Sequence, residues 1–248
     1  MGASDDRRDS EFRKILTLLL LWYNFCMIKL VAFDWNGTIF ADSLAAVDAV
    51  NEVFKFLGVK AINLKKFQAC FDIPARNAYI AMGASAEVLD RKKVEVAHVF
   101  HTNYEQRAGK VRSRAFAKEL LIWLSKNQIE ALIFSNHLHE PIKIQLKRLK
   151  IGKYFNRVLA NTHPESAFRG RAKAEKLKDY IISKKLSAKE VLVIGDSIEE
   201  IEIGKELGFY TAAITHGYCS TLRLKKAKPD FLISNLKEVI KIIGNLNP

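Results

Sequence analysis

The stretch Leu30–Phe40, LVAFDWNGTIF, decides how this chain folds. Its opening residues extend an apolar run, Ile28–Phe33, that reads as a strand buried on both faces. Turn-forming residues follow at once and leave Asp34 directly after the strand. A second segment has the same make: in VLVIGDSIEEIEIG (Val191–Gly204) an apolar strand, Val191–Ile194, runs into Asp196, and Glu200 sits one helical turn further on.

Outward from these two, apolar runs bounded by turn signals predict strands at Ile129–Phe134, Thr211–Ile214 and Phe231–Ile233. Helical periodicity fills most of the intervals. It is clearest in Ala115–Lys126, where Phe116, Leu120, Leu121 and Leu124 share a face, and it recurs in Pro141–Leu149, Ala172–Ser183 and Ile198–Leu207. Strands alternating with helices predict an α/β fold, a Rossmann-like parallel sheet covered on both faces.

One interval breaks the alternation. From Ser43 to Arg112 only helical patterns occur (Ser43–Phe56, Leu64–Phe71, Ala75–Met82 and Glu87–Gln106), broken at Gly58, Pro74 and Gly83. This reads as a second, all-helical domain. Ligands of open parallel sheets bind beyond the carboxyl ends of the strands. An insert leaving from that end of the first strand is therefore expected to cap the site. The expected division is an N-terminal extension over 1–26, a core of 27–42 and 113–248, and a cap of 43–112.

Composition narrows the function classes. With 49% apolar and 27% charged residues, the 248-residue chain is ordinary globular protein rather than disordered. A net charge of +13 attracts anions. The lysines are dispersed, however, and no finger, homeodomain or RNP-type reading element is present, so nucleic acid is not an expected partner. Three cysteines are too few and too scattered to build a disulfide framework or a zinc site, and the count suits a reducing, cytoplasmic setting. Residues Ile15–Phe25 (ILTLLLLWYNF) are apolar but lack a small-residue cleavage site. They are also shorter than the roughly 20 residues of a membrane span. The preferred reading is an extension, or a start assigned too early, ahead of a folded domain opening at Met27, with no stable membrane association.

Four segments place chemistry-bearing residues where a parallel sheet gathers them: Asp34; Ser135 in IFSNH; Lys173 in RGRAKAEKL, preferred over Arg171, Lys176 and Lys178; and Asp196 with Glu200. In this order and at these strand ends they resemble the haloacid dehalogenase superfamily, over nearly all of Met27–Pro248. The resemblance implies a phosphatase in which Asp34 attacks phosphorus and carries an aspartyl-phosphate. It implies Mg2+ held by Asp34, the backbone carbonyl of Asn36 and Asp196, with Glu200 in support. Ser135, Asn136 and Lys173 would bind the phosphoryl group of a small phosphorylated metabolite. Monomer and homodimer both remain open.

Trp35-Asn36 and the cap segment FDIPARNAYIAMG (Phe71–Gly83) resemble a phosphoglycolate-phosphatase-like branch. On that resemblance Arg76 should face the site and pair with a second anionic group of the substrate, while Phe71 and Tyr79 read as core. Most phosphatases of the family carry an aspartate where this chain has Asn36. An amide cannot exchange that proton, and loss of a general acid/base costs about 10²–10⁴ in rate. His137 and Asp42 are the nearest substitutes by position. The alternative is a non-catalytic or very slow phosphometabolite-binding protein. His98, His101, His137, His139, His163 and His216 form no ligand motif and read as solvated or capping residues.

Overall fold

The computed structural model describes residues 27–163 and 172–247; the expected extension over 1–26 lies outside them. Among the described residues are six strands: β1 (Leu30–Phe33), β2 (Glu130–Leu138), β3 (Arg157–Asn161), β4 (Val191–Gly195), β5 (Tyr210–Ile214) and β6 (Phe231–Ile233). They form one parallel sheet in the order β3-β2-β1-β4-β5-β6.

Strand β1 lies inside the sheet, and all four of its residues are buried. Alternate side chains of a strand point to opposite faces, which gives β1 two cores. Val31 and Phe33 belong to one cluster with Leu120, Leu121, Val239 and Ile243, while Leu30 and Ala32 belong to another with Leu177, Ile181, Val193 and Ile203. Val193 belongs to β4, and the helices supplying the other residues are α6 (Ala117–Lys126), α8 (Ala172–Ser183), α9 (Ile198–Leu207) and α11 (Glu238–Leu246). The remaining core helices are α7 (His139–Leu149) and α10 (Thr221–Lys226). Register then sets the site. Phe33 pairs with Ile133 and Ile194, so Asp34 and Asp196 leave the sheet level with Ser135, which lies within β2 because that strand runs past the expected end at Phe134.

Between β1 and α6 lie α1 (Ser43–Leu57), α2 (Leu64–Cys70), α3 (Ala75–Met82), α4 (Ala86–Arg91) and α5 (Lys93–Ala108), the all-helical cap. Left-handed Gly58 (φ 69°) closes α1, and Gly83 (φ 127°) closes α3, both at expected breaks. The expected helix Glu87–Gln106 is two helices, because the chain leaves helical geometry at Lys92.

Phe116 also departs from expectation. It precedes α6 in a left-handed conformation (φ 64°) and is 42% exposed, with Lys237 over its ring, while Leu120, Leu121 and Leu124 are buried. Among the described residues no helix is long and apolar enough to cross a membrane.

Candidate active site

The carboxyl edge of the sheet collects Asp34, Ser135, Asp196 and the acidic start of α9, and α8 brings Lys173 to them. These groups line one cavity between the sheet and the cap. The Lys173 ammonium is 2% exposed and touches three carboxylates: Asp34 Oδ1 at 3.2 Å, Glu199 Oε2 at 2.9 Å and Glu200 Oε1. Burial alone would push its proton affinity down, but Glu199, Glu200 and Asp34 outweigh burial and hold it well above the ordinary lysine range. Lys176 instead reaches Ala160 O and Asn161 Oδ1 at the end of β3, and Lys178 is exposed. Arg171 lies outside the described residues.

Asp196 is held by the turn after β1 and by the loop after β5. Thr38 Oγ1 donates to its Oδ1 at 3.0 Å and the Tyr218 backbone N–H to its Oδ2 at 2.5 Å. Burial, then the Glu200 carboxylate, raise Asp196 to about 7. Glu200 accepts from Ser197 N at 2.9 Å and Ser197 Oγ at 2.6 Å, the reciprocal cap that starts α9. Glu200 thus supports the acidic loop and meets Lys173 at once.

Gly37 is required by this packing. Its φ is +72°, and a Cβ there would lie 2.0 Å from Asp196 Oδ2. Gly37→Ala is expected to push the Asp196 carboxylate out of place and weaken divalent-cation binding about 10–100-fold, the usual cost of disturbing the support of a metal ligand. Calorimetric titration with Mg2+ checks this.

Asn36 is fixed by a group that sequence reading placed only as a possible proton donor. Its Nδ2 donates to Asp42 Oδ2 and to Tyr104 Oη, each at 2.7 Å. Asp42 also accepts from Gly37 N at 2.7 Å, from Tyr218 Oη at 2.6 Å and from Tyr104 Oη. Buried with four donors, three on Oδ2 and one on Oδ1, Asp42 anchors the turn.

Ser135 is buried, and its Oγ accepts from His137 N at 3.1 Å. Asn136 Nδ2 donates to Glu199 Oε2 at 2.7 Å, and Asn161 holds the Asn136 carbonyl. Arg76 does not face the cavity. It forks onto Asp90 with two 2.6 Å contacts at the surface, because α4 presents a carboxylate to it. Phe71 and Tyr79 do pack in the core, yet both also line the cavity. Glu199, Tyr104 and Tyr218 were not singled out from the sequence. The second glutamate of GDSIEE was a visible signal for Glu199; nothing local marks the two tyrosines.

The donor set fits a hard divalent cation. Asp34, Asp196, Glu199 and Glu200 are all buried, and the one lysine ammonium among them touches only Asp34, Glu199 and Glu200. Burial first, then Glu200 and Asp196, push Asp34 well above the usual carboxylate range against the opposing pull of Lys173. Glu199 Oε1 and Asn136 Oδ1 are buried without a hydrogen-bond partner. Excess buried negative charge on oxygen ligands is the environment that Mg2+ neutralises.

Fold and edge together define a Rossmann-like hydrolase with a helical cap. A model of the haloacid dehalogenase-like hydrolase family matches residues 31–214, and the chain belongs to that family. A phosphoglycolate phosphatase of Pseudomonas fluorescens is 26% identical over 89% of this chain and 80% of its own length. One from Vibrio cholerae is 22% identical over 87% of this chain and 97% of its own. Among solved structures, a haloacid dehalogenase-like family hydrolase from Streptococcus pneumoniae superposes with a TM-score of 0.73 at 20% identity, covering 87% of this chain and 98% of its own.

Proposed function

We propose that this protein is a magnesium-dependent phosphatase that hydrolyses a small phosphorylated metabolite through an aspartyl-phosphate on Asp34. The observation that carries this reading is the buried Lys173 ammonium 3.2 Å from Asp34, at the strand edge shared with Ser135 and Asp196. An Asp34 oxygen attacks phosphorus, and the bond from phosphorus to the leaving oxygen breaks. The leaving oxygen takes a proton, and water then cleaves the aspartyl-phosphate to release phosphate. Lys173 orients the nucleophile and offsets phosphoryl charge, and the Ser135 hydroxyl and Asn136 bind phosphoryl oxygens. Asp34, Asp196 and the Asn36 carbonyl would hold Mg2+, with Glu200 in support; the ion supplies the charge neutralisation that phosphoryl transfer demands. In this reading 27–42 and 113–248 are the catalytic core, 43–112 is the cap, and the enzyme works in the cytoplasm.

The cap side of the cavity supports a refinement. Phe67, Phe71, Ile73, Met82 and Phe100 line it, and Lys173 is its only lysine or arginine among the described residues. On the cap side a substrate carboxylate would find no lysine or arginine side chain among the described residues, since Arg76 is engaged by Asp90. The remainder of the substrate is accordingly uncharged, unlike phosphoglycolate. Phosphate release should be measured from phosphoglycolate and from uncharged alkyl and aryl phosphates, with and without Mg2+, alongside Asp34→Asn. Magnesium-dependent turnover that is lost in Asp34→Asn and faster on the uncharged esters is expected. Turnover that survives Asp34→Asn would overturn the mechanism.

One observation favours a slow or purely binding protein: Asn36 cannot deliver a proton, and Asp42 is engaged in holding the turn and the two tyrosines. Asn36→Asp would set a second carboxyl group about as close to Asp42 as the present 2.7 Å contact. A carboxylate neighbour raises the proton affinity of the introduced carboxyl group, which places an acid beside Asp34. Single-turnover rates are expected to rise toward the about 10²–10⁴-fold that general acid–base catalysis contributes. An unchanged rate would mean that proton delivery does not limit turnover.

A further inference from the structure

Sequence reading left the histidines as solvated or capping residues. His98, His163 and His216 are indeed exposed, and His139 pairs with Glu140 at 3.2 Å. His101 and His137 are different. His101 and Glu105 are four residues apart on α5 and so share a face of the cap. His137 stands near the end of β2 in the core. One potential ligand atom from each of the three lies within 4.8 Å of the others. His137 Nε2 is 3.1 Å from Glu105 Oε1, and the two imidazoles stack with centroids 6.0 Å apart.

We propose that His101, Glu105 and His137 form a second cation site, for a borderline transition metal such as Zn2+, that ties the cap to the core. Two imidazole nitrogens and one carboxylate make up a ligand set that zinc favours, with a fourth position left for water or substrate. This set differs in kind from the all-oxygen carboxylates around Asp34, which suit magnesium. Zinc–nitrogen distances of about 2.0–2.1 Å in tetrahedral geometry require ligand atoms about 3.3 Å apart. The His137–Glu105 pair already meets that spacing at 3.1 Å, and the His101 ligand atom lies within 4.8 Å of both.

The supports are rigid. The His137 backbone N–H donates to Ser135 Oγ at 3.1 Å, and Tyr104, held by Asp42, packs edge-on against the His137 ring at 5.2 Å. His101, His137 and Asp34 line the same cavity, so an ion here would hold the cap against the mouth of the site. The inference stands on these three residues and does not depend on phosphate-ester hydrolysis.

The test is a Co2+ titration of the full chain, stripped with a chelator and kept in excess Mg2+ so that the carboxylate site is filled. One Co2+ per chain with the visible absorption of tetrahedral cobalt, displaced by Zn2+, is expected. Loss of an outer-shell partner alone typically costs 10–100-fold in affinity, so His101→Ala, Glu105→Gln and His137→Gln should each weaken binding by at least about 100-fold. Asp196→Asn should retain the band. Circular dichroism confirms that each variant is folded, and the half-exposed Glu105 supplies a change that leaves both rings in place. A band lost in Asp196→Asn but kept in the three variants would overturn the site, as would the absence of stoichiometric binding.

Discussion

Replacing Lys173 by methionine is expected to destabilise the fold by about 3–5 kcal/mol, the cost of breaking a buried ion pair from one side. For a chain of this size that lowers Tm by on the order of 10 °C. Three carboxylates now lean on the Lys173 ammonium, and Glu199 and Glu200 are both only 3% exposed. Methionine fills the volume of the stem but leaves those charges facing one another in a buried site. Glu200, held below the usual carboxylate range by Lys173 and Ser197 against its own burial, loses the larger of these supports. The carboxylates then take up protons more readily, so the deficit should be greatest at neutral pH and shrink as pH falls. Thermal melts of both proteins at several pH values measure this. A deficit that is small and constant with pH would show that Lys173 carries no such burden.

Much of this edge was legible in the sequence because burial and position coincide there. LVAF and VLVIG are apolar throughout, as strands covered on both faces must be, and the residues just beyond them are those that reach the site. β3 escaped reading for the opposite reason. RVLAN lies at the edge of the sheet, its residues are mostly half-exposed, and the run is too short and mixed to stand out. The six residues of α10 are equally short. α11 also went unread, although Val239, Ile242 and Ile243 carry the spacing of a buried helical face.

The anchoring of Asn36 was beyond any local pattern. Asp42 lies six residues from it, but Tyr104 comes from the cap and Tyr218 from the far end of the chain. The cap and the catalytic turn are therefore coupled through one buried carboxylate. Tyr104 belongs to α5, the helix that also carries His101 and Glu105. Movement of α5 relative to the sheet would break the Tyr104 contacts to Asp42 and Asn36 together, so the position of the cap and the conformation of the turn beside Asp34 are tied to each other. That linkage gives the amide at position 36 a structural task even where it has no proton to give.

Without divalent cations, the stability of Asp196→Asn relative to the natural protein should rise between about pH 4 and pH 7. Asp196 is raised to about 7 by burial and by the Glu200 carboxylate, from an unfolded value near 3.9. A carboxyl whose folded value is raised contributes its full stability below the unfolded value and loses it as pH climbs through the folded one. The difference amounts to on the order of 4 kcal/mol at pH above 7. Asparagine does not titrate, so it sets a constant offset from altered contacts with Thr38 and the Tyr218 amide, and the slope isolates the carboxyl. In the proposed reading Mg2+ binds the ionised form, so saturating magnesium at neutral pH should reverse the trend; a ligand at about 100 times its Kd adds about 2.7 kcal/mol to the protein that binds it. Chemical denaturation across this range, with chelator and with magnesium, reads both effects. Parallel pH curves for the two proteins in chelator would show that Asp196 is not a strained, buried carboxyl awaiting a cation.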